Sequence, residues 1–439
     1  MMPKPESPSA RATKVSPGGW NARSLNGQGF RSGCSPVPMD SASDVEEGRQ
    51  IDFGPYNLRP PVLFAGYRMG DMPTSGLRTF PWDITETEAL LINAYDFTKP
   101  KYDAVIRNGW QPTRDLSFSG RPILIDSGAY YFLKNKHLMV SPSEILNIEI
   151  RSKAHVGVIL DHPFTPEARG KSRRIERTLK NTAAMFKASE AREDALELMP
   201  VLHGHSREAL EECLRRLRQI NKRYRTEDLT RVGIGSVAPL AQRGDARRAT
   251  HIIATVRELL PNAHIHCFSM GSPLLILLAV YAGADTVDSQ TWIVSAAFKY
   301  AQVPGSYAVR LARRDYATYR RFRKAIKGFA RQIHDLHGRE QFFVKDWSTG
   351  ERVNLDSAST CEDYARSLTD LKSNENIHNR ACHNLWVYNY ELRRYRSALH
   401  GGFLEEFITG RVAGTRYERT LRWLRERLVA GRVAAPSCV

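Results

Sequence analysis

Cysteine is scarce: there are six in 439 residues, and none forms a Cys-x-x-Cys pair. So few thiols in so long a chain exclude a disulfide scaffold and fit a reducing compartment, which points to a cytoplasmic protein. Long apolar runs are missing too. The longest nearly uninterrupted one, Pro273 to Ala284, falls short of the roughly 20 apolar residues that cross a bilayer, so neither a membrane span nor a membrane partner is expected. Acidic residues are outnumbered, 47 against 64 Lys and Arg, for a net charge of +17. That balance suits a polyanionic partner, although a basic surface can also serve solubility alone. With 42% hydrophobic and 25% charged residues, the chain has the proportions of a globular protein with a sizeable core.

Residues 1–50 are dense in Pro, Gly and Ser and show no periodic apolar run, which predicts a disordered tail. Five of the first 39 residues are Lys or Arg and only Glu6 is acidic, as in organellar transit peptides, but the Pro and Gly content argues against the amphipathic helix such peptides form. From Pro61 onward, short runs of Val, Ile and Leu alternate with longer amphipathic segments. The expected strands are Val62–Tyr67, Ala89–Tyr95, Pro122–Ser127, Val156–Asp161, Leu198–His203, Val232–Val237, His264–Ser269 and Ala284–Asp288. Ser141, Pro142 and Glu144 form a capping box for one intervening helix. Leu210, Cys213, Leu214 and Leu217 give Ser206–Ile220 a helical apolar face. Eight βα units imply an α/β protein with a closed (β/α)8 TIM barrel, although a doubly wound open sheet shares the rhythm.

In such a barrel the chemistry sits at the carboxyl ends of the strands. Several strands end in reactive groups: Asp126, Asp161, His203, Ser269 and Asp288. Any one carboxylate there could be a helix cap. Three converging on one mouth would raise at least one pKa and yield an acid beside a base or nucleophile. Beyond Asp288 the rhythm changes. Arg310–Arg331 carries nine basic residues and one acid, interleaved with Tyr316, Tyr319, Phe322 and Phe329. Arg320, Arg321, Arg323 and Lys324 could track phosphates beside stacked bases. The same pattern also describes an amphipathic helix with a merely solvated basic face. Residues 404–439 form a basic helical extension in which Leu421, Leu424 and Leu428 share one face, a pattern that favours packing.

The strand ends also form a series. Asp126-Ser127-Gly128-Ala129-Tyr130 resembles the Asp-Ser-Gly-Gly-Tyr/Phe motif of the tRNA-guanine transglycosylase superfamily. Asn93-Ala94-Tyr95, Gly271-Ser272-Pro273, Gly283-Ala284-Asp285-Thr286-Val287-Asp288 and His383-Asn384-Leu385 resemble four further family motifs, in the family's order. The joint occurrence is far more specific than any single motif. The resemblance implies a barrel over residues 55–403, with an embedded helical subdomain near 340–403. It also implies exchange of a guanine in nucleic acid for a 7-deazaguanine base. Such an exchange requires attack on C1′ and protonation of the leaving base, which two carboxylates can supply. By resemblance Asp288 is the nucleophile and Asp126 the general acid and base. Asp161 grips the purine edge, and Tyr130 and Phe268 sandwich the base. Gly235-Ser236 replaces an amide-donating Gly-Gly, and His203 replaces a glutamine facing the base carbonyl.

The departures from the family pattern shape the finer expectations. Near Ala241 a glutamate of several bacterial members is replaced, which favours a neutral 7-cyano substituent over an aminomethyl cation. Family members bind a structural zinc through three thiolates and a histidine; here Asp356, Cys361, Cys382 or His378, and His383 would have to supply the ligands, and a metal-free packed remnant fits equally. The decayed zinc motif and the altered Gly-Gly favour the divergent forms that insert 7-cyano-7-deazaguanine into DNA over the queuosine or archaeosine tRNA enzymes. Duplex DNA would demand strand opening, for which no motif is present, so a helper protein would then be a partner. A catalytically silent nucleic-acid-binding subunit is the rival of another class, and retention of both Asp126 and Asp288 speaks against it.

Overall fold

The expected strands form because each run is buried on both faces, which is what a near-continuous Val/Ile/Leu run needs. The computed structural model describes residues 49–69, 80–134, 140–194, 196–225, 228–369 and 375–428. Its central sheet contains β1 (Val62–Gly66), β2 (Ala89–Asn93), β3 (Ile123–Asp126), β4 (Val156–Val158), β5 in two pieces (Glu197–Met199 and Val201–Leu202), β6 (Arg231–Ile234), β7 (His264–Cys267) and β8 (Thr286–Ser289). Every neighbour is parallel and in chain order, and β8 pairs back onto β1 with Asp288 opposite Phe64. The first piece of β5 pairs with β4 and the second with β6. Pro200 separates them because it has no N–H for the ladder, while its carbonyl accepts from Gly233 N at 2.9 Å. The result is a (β/α)8 barrel with helices around it. Most strands stop one to three residues before the expected end, since the carboxyl ends splay into the loops of the mouth.

Residues 1–48, the bulk of the expected tail, lie outside the described residues. A hairpin that the sequence did not suggest, Ile51–Phe53 paired with Tyr56–Leu58, precedes the barrel. Phe53 is fully buried with its ring centroid 5.1 Å from that of Phe64. It joins Leu91, Leu124, Val156, Met199 and Val201 in the barrel's lower interior. Capping by Ser141 and Ser206 follows the expectation, each side chain accepting from the backbone N–H three residues on. Among the described residues no helix is long and apolar enough to cross a membrane.

A second core lies beside the barrel. Helix Tyr319–Glu340 packs Phe322, Ile326, Phe329 and Ile333 against Trp347, Leu355, Tyr364 and Trp386. The 26-residue helix Glu375–His400 serves both cores. Ala381, Leu385, Tyr388, Leu392 and Tyr395 repeat every three or four residues and face the barrel, while Cys382, Trp386, Val387 and Tyr390 face the second core. The extension docks rather than projecting: Ile408, Val412, Leu421 and Leu424 are buried in the barrel-side core, and Arg427 reaches Glu258 at 2.6 Å. Residues 429–439 lie outside the described residues.

At the amino end of the strands, Arg257 is buried and gathers four carbonyls, those of Gly283, Leu260, Pro261 and Ala263, while its Nη2 lies 2.5 Å from Asp285 Oδ2. Asp285 in turn accepts from Ile265 N at 2.8 Å. Arg257→Ala should therefore lower the unfolding free energy by about 3–5 kcal/mol in urea titrations, because it leaves four carbonyls without their donor and Asp285 with only the half-exposed Arg49 and Ile265 N–H as partners. A loss below 1 kcal/mol would show that the pair is ornamental.

Candidate active site

Because all eight strands run the same way, residues just past their carboxyl ends meet at one mouth. Asp126 ends β3, Asp288 is the third residue of β8, Asp161 lies three residues past β4, and His203, Gly235, Ser236, Phe268 and Ser269 follow β5, β6 and β7. The three aspartates come together, as their strand positions suggested. Burial first, and then the charges of Asp161 and Asp288, push the Asp126 carboxyl up to about 8, against opposing backbone N–H groups of Gly128 and Ser127. Gly128 donates to Asp126 Oδ2 at 3.1 Å from a left-handed conformation (φ +87°). A Cβ there would stand 2.3 Å from Tyr95 Cβ, so only glycine fits.

Asp288 is buried and its Oδ1 accepts from Ser269 N at 2.8 Å. On the other side of the mouth, His203 Nε2 lies 2.9 Å from Asp161 Oδ2, and His203 Nδ1 lies 2.9 Å from Ser236 Oγ. Ser236 Oγ also accepts from Phe164 N at 3.0 Å. Gly235 leaves room for this ring: a Cβ there would meet His203 Cε1 at 2.2 Å. Phe268 packs edge-on against His266 at 4.6 Å between centroids, and Tyr130 donates from its hydroxyl to Gln242 Oε1 at 2.7 Å. Tyr130 follows β3 but its hydroxyl reaches Gln242 in the segment after β6, and the Phe268 ring lies over Gly233 of β6, where a Cβ would meet its Cε2 at 2.4 Å.

Four polar groups at or below the mouth escaped sequence reasoning. Glu149, on the helix after β3, is fully buried; burial and then the charge of Asp126 hold its carboxyl well above the usual range, so it stays protonated. His264, His266 and Thr286 lie in the barrel interior beneath Asp288. The available signal was polar residues at alternate positions of strands that otherwise read as apolar.

With this geometry in view, comparison with known proteins decides the kinship. The family model for queuine tRNA-ribosyltransferase matches residues 71–417. The chain belongs to that family. Relatives include the tRNA-guanine(15) transglycosylase of Methanocaldococcus jannaschii, 25% identical over 334 residues, covering 74% of this chain and 44% of the relative. The enzyme of the same name from Pyrobaculum aerophilum is 25% identical over 294 residues, covering 65% and 50%. That from Aeropyrum pernix is 27% identical over 314 residues, covering 69% and 52%. The chain thus spans about half the length of the curated relatives it matches.

The ligand set expected for the family's zinc does not assemble. His383 is fully buried with both ring nitrogens committed: Nε2 donates to Gln302 O at 2.8 Å, and Nδ1 accepts from the Tyr364 hydroxyl at 2.6 Å. Burial pushes this imidazole down to about 4, which matches that neutral, doubly bonded state. Trp347 Nε1 donates to the same hydroxyl at 3.0 Å. Cys361 Sγ lies 3.4 Å from Leu355 O, Cys382 Sγ lies 3.4 Å from His378 Nε2, and the Asp356 side chain is 75% exposed beside His337. Among the described residues no group of three His, Cys, Asp or Glu could hold a metal, so these side chains do not fit a tetrahedral zinc. The basic stretch forms an amphipathic helix. Arg320, Arg321, Arg323 and Lys324 are exposed, while Phe322, Ile326 and Phe329 of the same helix are buried.

Two outcomes follow from these environments. Since the folded Asp126 carboxyl titrates near 8 against an ordinary 3.8, its contribution to stability is undiminished below about pH 4, declines as pH rises and levels off above 8. Asp126→Asn should therefore raise the thermal midpoint relative to wild type at pH 8.5 and much less at pH 4.5; equal differences at both would contradict the shift. His383→Ala should cost about 2–4 kcal/mol through its cavity and the orphaned Tyr364 and Gln302 groups. Metal analysis of the wild type should find far less than one zinc per chain. One equivalent of zinc released by this substitution would overturn the metal-free reading.

Proposed function

We propose that this protein exchanges a guanine in a nucleic acid for a free 7-deazaguanine base through an ester on Asp288. The observation that carries the reading is the pairing, in one mouth, of an acid pushed up to about 8 with a second carboxylate held by a backbone N–H. An Asp288 oxygen attacks C1′ as the bond to the base breaks, and Asp126, still protonated near neutral pH, gives its proton to the departing guanine. The incoming base returns a proton to Asp126, attacks C1′ and releases Asp288, so the polymer and the enzyme are both regenerated. By resemblance Asp161 would bind the purine edge and Tyr130 and Phe268 would flank the base, with Gly235 and Ser236 beside it; His203, fully buried with its ring nitrogens against Asp161 and Ser236, would orient Asp161 rather than touch the base carbonyl itself. Both carboxylates being present argues against a catalytically silent subunit.

For the polymer, the relatives' names speak of tRNA, which supports tRNA better than the DNA that the sequence reading favoured. The DNA reading keeps one observation, the exposed cationic face of Arg320, Arg321, Arg323 and Lys324, which suits sequence-tolerant phosphate contact. Replacement, near Ala241, of the glutamate that several bacterial members carry supports a neutral 7-cyano base over an amine.

The test is incorporation of labelled guanine and labelled 7-cyano-7-deazaguanine into tRNA and into DNA. Wild type should label tRNA. Label in DNA alone would reinstate the DNA reading, and label in neither would sink base exchange. Asp288→Ala should lose all exchange with a nearly unchanged thermal midpoint, and Asp126→Asn should be severely slowed yet still trap a covalent adduct. An adduct on Asp288→Ala would reverse the two roles.

A further inference from the structure

Beneath Asp288 a chain of buried polar groups runs into the barrel interior, and the base-exchange chemistry has not used it. His266 on β7 and Asp288 on β8 are neighbours, with His266 Nε2 3.4 Å from Asp288 Oδ1. His266 Nδ1 lies 2.9 Å from Thr286 Oγ1. Thr286 Oγ1 lies 2.7 Å from His264 Nε2. His264, His266, Thr286 and Asp288 are all at most 3% exposed, so these contacts are shielded from bulk solvent. Polar groups placed so deep cost several kcal/mol unless they are paired, so the direction of each hydrogen bond matters.

The threonine hydroxyl has one proton and can give it to only one of the two histidines. If it donates to His264, His266 must carry its proton on Nδ1. Its Nε2 lone pair would then face the Asp288 carboxylate, and His264 would be left with an N–H on Nδ1, an atom that has no partner among the described residues. Lone-pair repulsion and a buried orphan donor would be incurred together. If instead Thr286 donates to His266 Nδ1, His264 Nε2–H donates to Thr286, His264 Nδ1 is a bare acceptor, and His266 Nε2–H points at Asp288. The second arrangement removes both penalties. Burial, which drives the His264 imidazole well below its ordinary value, keeps that ring neutral as this arrangement requires. The Nε2–Asp288 approach is long, with no other partner for Nε2 among the described residues. Such contacts tighten as charge and substrate settle in the site.

We propose that His266 is the positioning residue of the nucleophile: the His264–Thr286–His266 relay fixes it as the Nε2–H tautomer, which with Ser269 N–H holds Asp288 Oδ1 and leaves Oδ2 to attack. Oδ2 has no hydrogen bond among the described residues, so the carboxylate presents one tethered and one free oxygen. In the ester, C1′ is bonded to Oδ2, and Oδ1 becomes the carbonyl oxygen that the two N–H donors still hold. When the incoming base displaces Asp288, the same donors receive the returning negative charge. The proposal rests on the base-exchange reading of Asp288, but the tautomer of His266 does not.

The full-length protein, labelled with 15N in its histidine rings, tests this by long-range imidazole 1H–15N correlation, with His266→Gln assigning the signal. Wild-type His266 should show the neutral Nε2–H pattern. Thr286→Val keeps the volume but removes the hydroxyl. It should shift His266 toward the Nδ1–H form and lower kcat by at least about tenfold with the KM for the base within about twofold, since a mis-set tautomer damages the chemical step and not base binding. Thr286→Ser should restore the wild-type spectrum and most of kcat. The proposal is overturned by an imidazolium or an Nδ1–H tautomer in wild type, by an unchanged kcat in Thr286→Val, or by Thr286→Ser as slow as Thr286→Val. The wild-type spectrum needs no substitution, so a variant that failed to fold would leave the idea open to refutation. Wild type that exchanged no base in either polymer would fell the functional reading, and the His266 tautomer would then decide the relay by itself.

Discussion

Mutual repulsion among three carboxylates is the constraint on which the mouth is organised. Closure of eight parallel strands delivers Asp126, Asp161 and Asp288 to one end of the barrel, and once there they cannot all be charged at low cost. The structure resolves the conflict by giving each a different environment. Asp288 receives Ser269 N–H, Asp161 receives the His203 ring, and Asp126, raised first by burial and then by both of these charges, keeps its proton until about pH 8. Their different behaviour is thus a result of placement, with identical side chains made unlike by their neighbours. Glu149, buried behind β3, belongs to the same field and avoids adding a third charge by remaining neutral.

The rest of the molecule keeps that arrangement rigid. The Phe53 hairpin plugs one end of the barrel, and Arg257 ties the amino-end loops to Asp285. Helix Glu375–His400 joins the barrel core to the second core, each on its own face. Where the family holds a metal, this chain has His383 between Tyr364 and Gln302, with Trp347 completing the set. These hydrogen bonds tie the long helix to the residues packed on it from the second core.

What the sequence made legible follows from which physical signals are local. Strands buried on both faces are apolar throughout, so all eight were visible, and their polar terminators marked the mouth before any coordinates. Family motifs added roles to Asp126 and Asp288. The signals that failed were those requiring a partner. Helix Glu375–His400 is buried on two faces and so has little amphipathic contrast. The Ile51–Leu58 hairpin is short and abuts the Pro- and Gly-rich tail. His264, His266 and Thr286 look like flaws in a strand until their hydrogen bonds to one another are seen. The zinc question could not be read from spacing, because the same His383 serves a metal or a tyrosine equally well in one dimension.

One feature of the barrel wall acquires a different meaning in this light. Pro200 splits β5, so one piece stays with β4 and the other with β6, and the backbone ladder is interrupted at that seam. Directly above it, the ring of His203 spans from Asp161, beyond β4, to Ser236, beyond β6. Side chains thus stitch the ring shut at the point where the main chain does not. Elsewhere around the ring adjacent strands are joined by backbone pairing. Here the circumference is set by side-chain contacts, so the packing of the mouth and the girth of the barrel are mechanically one variable.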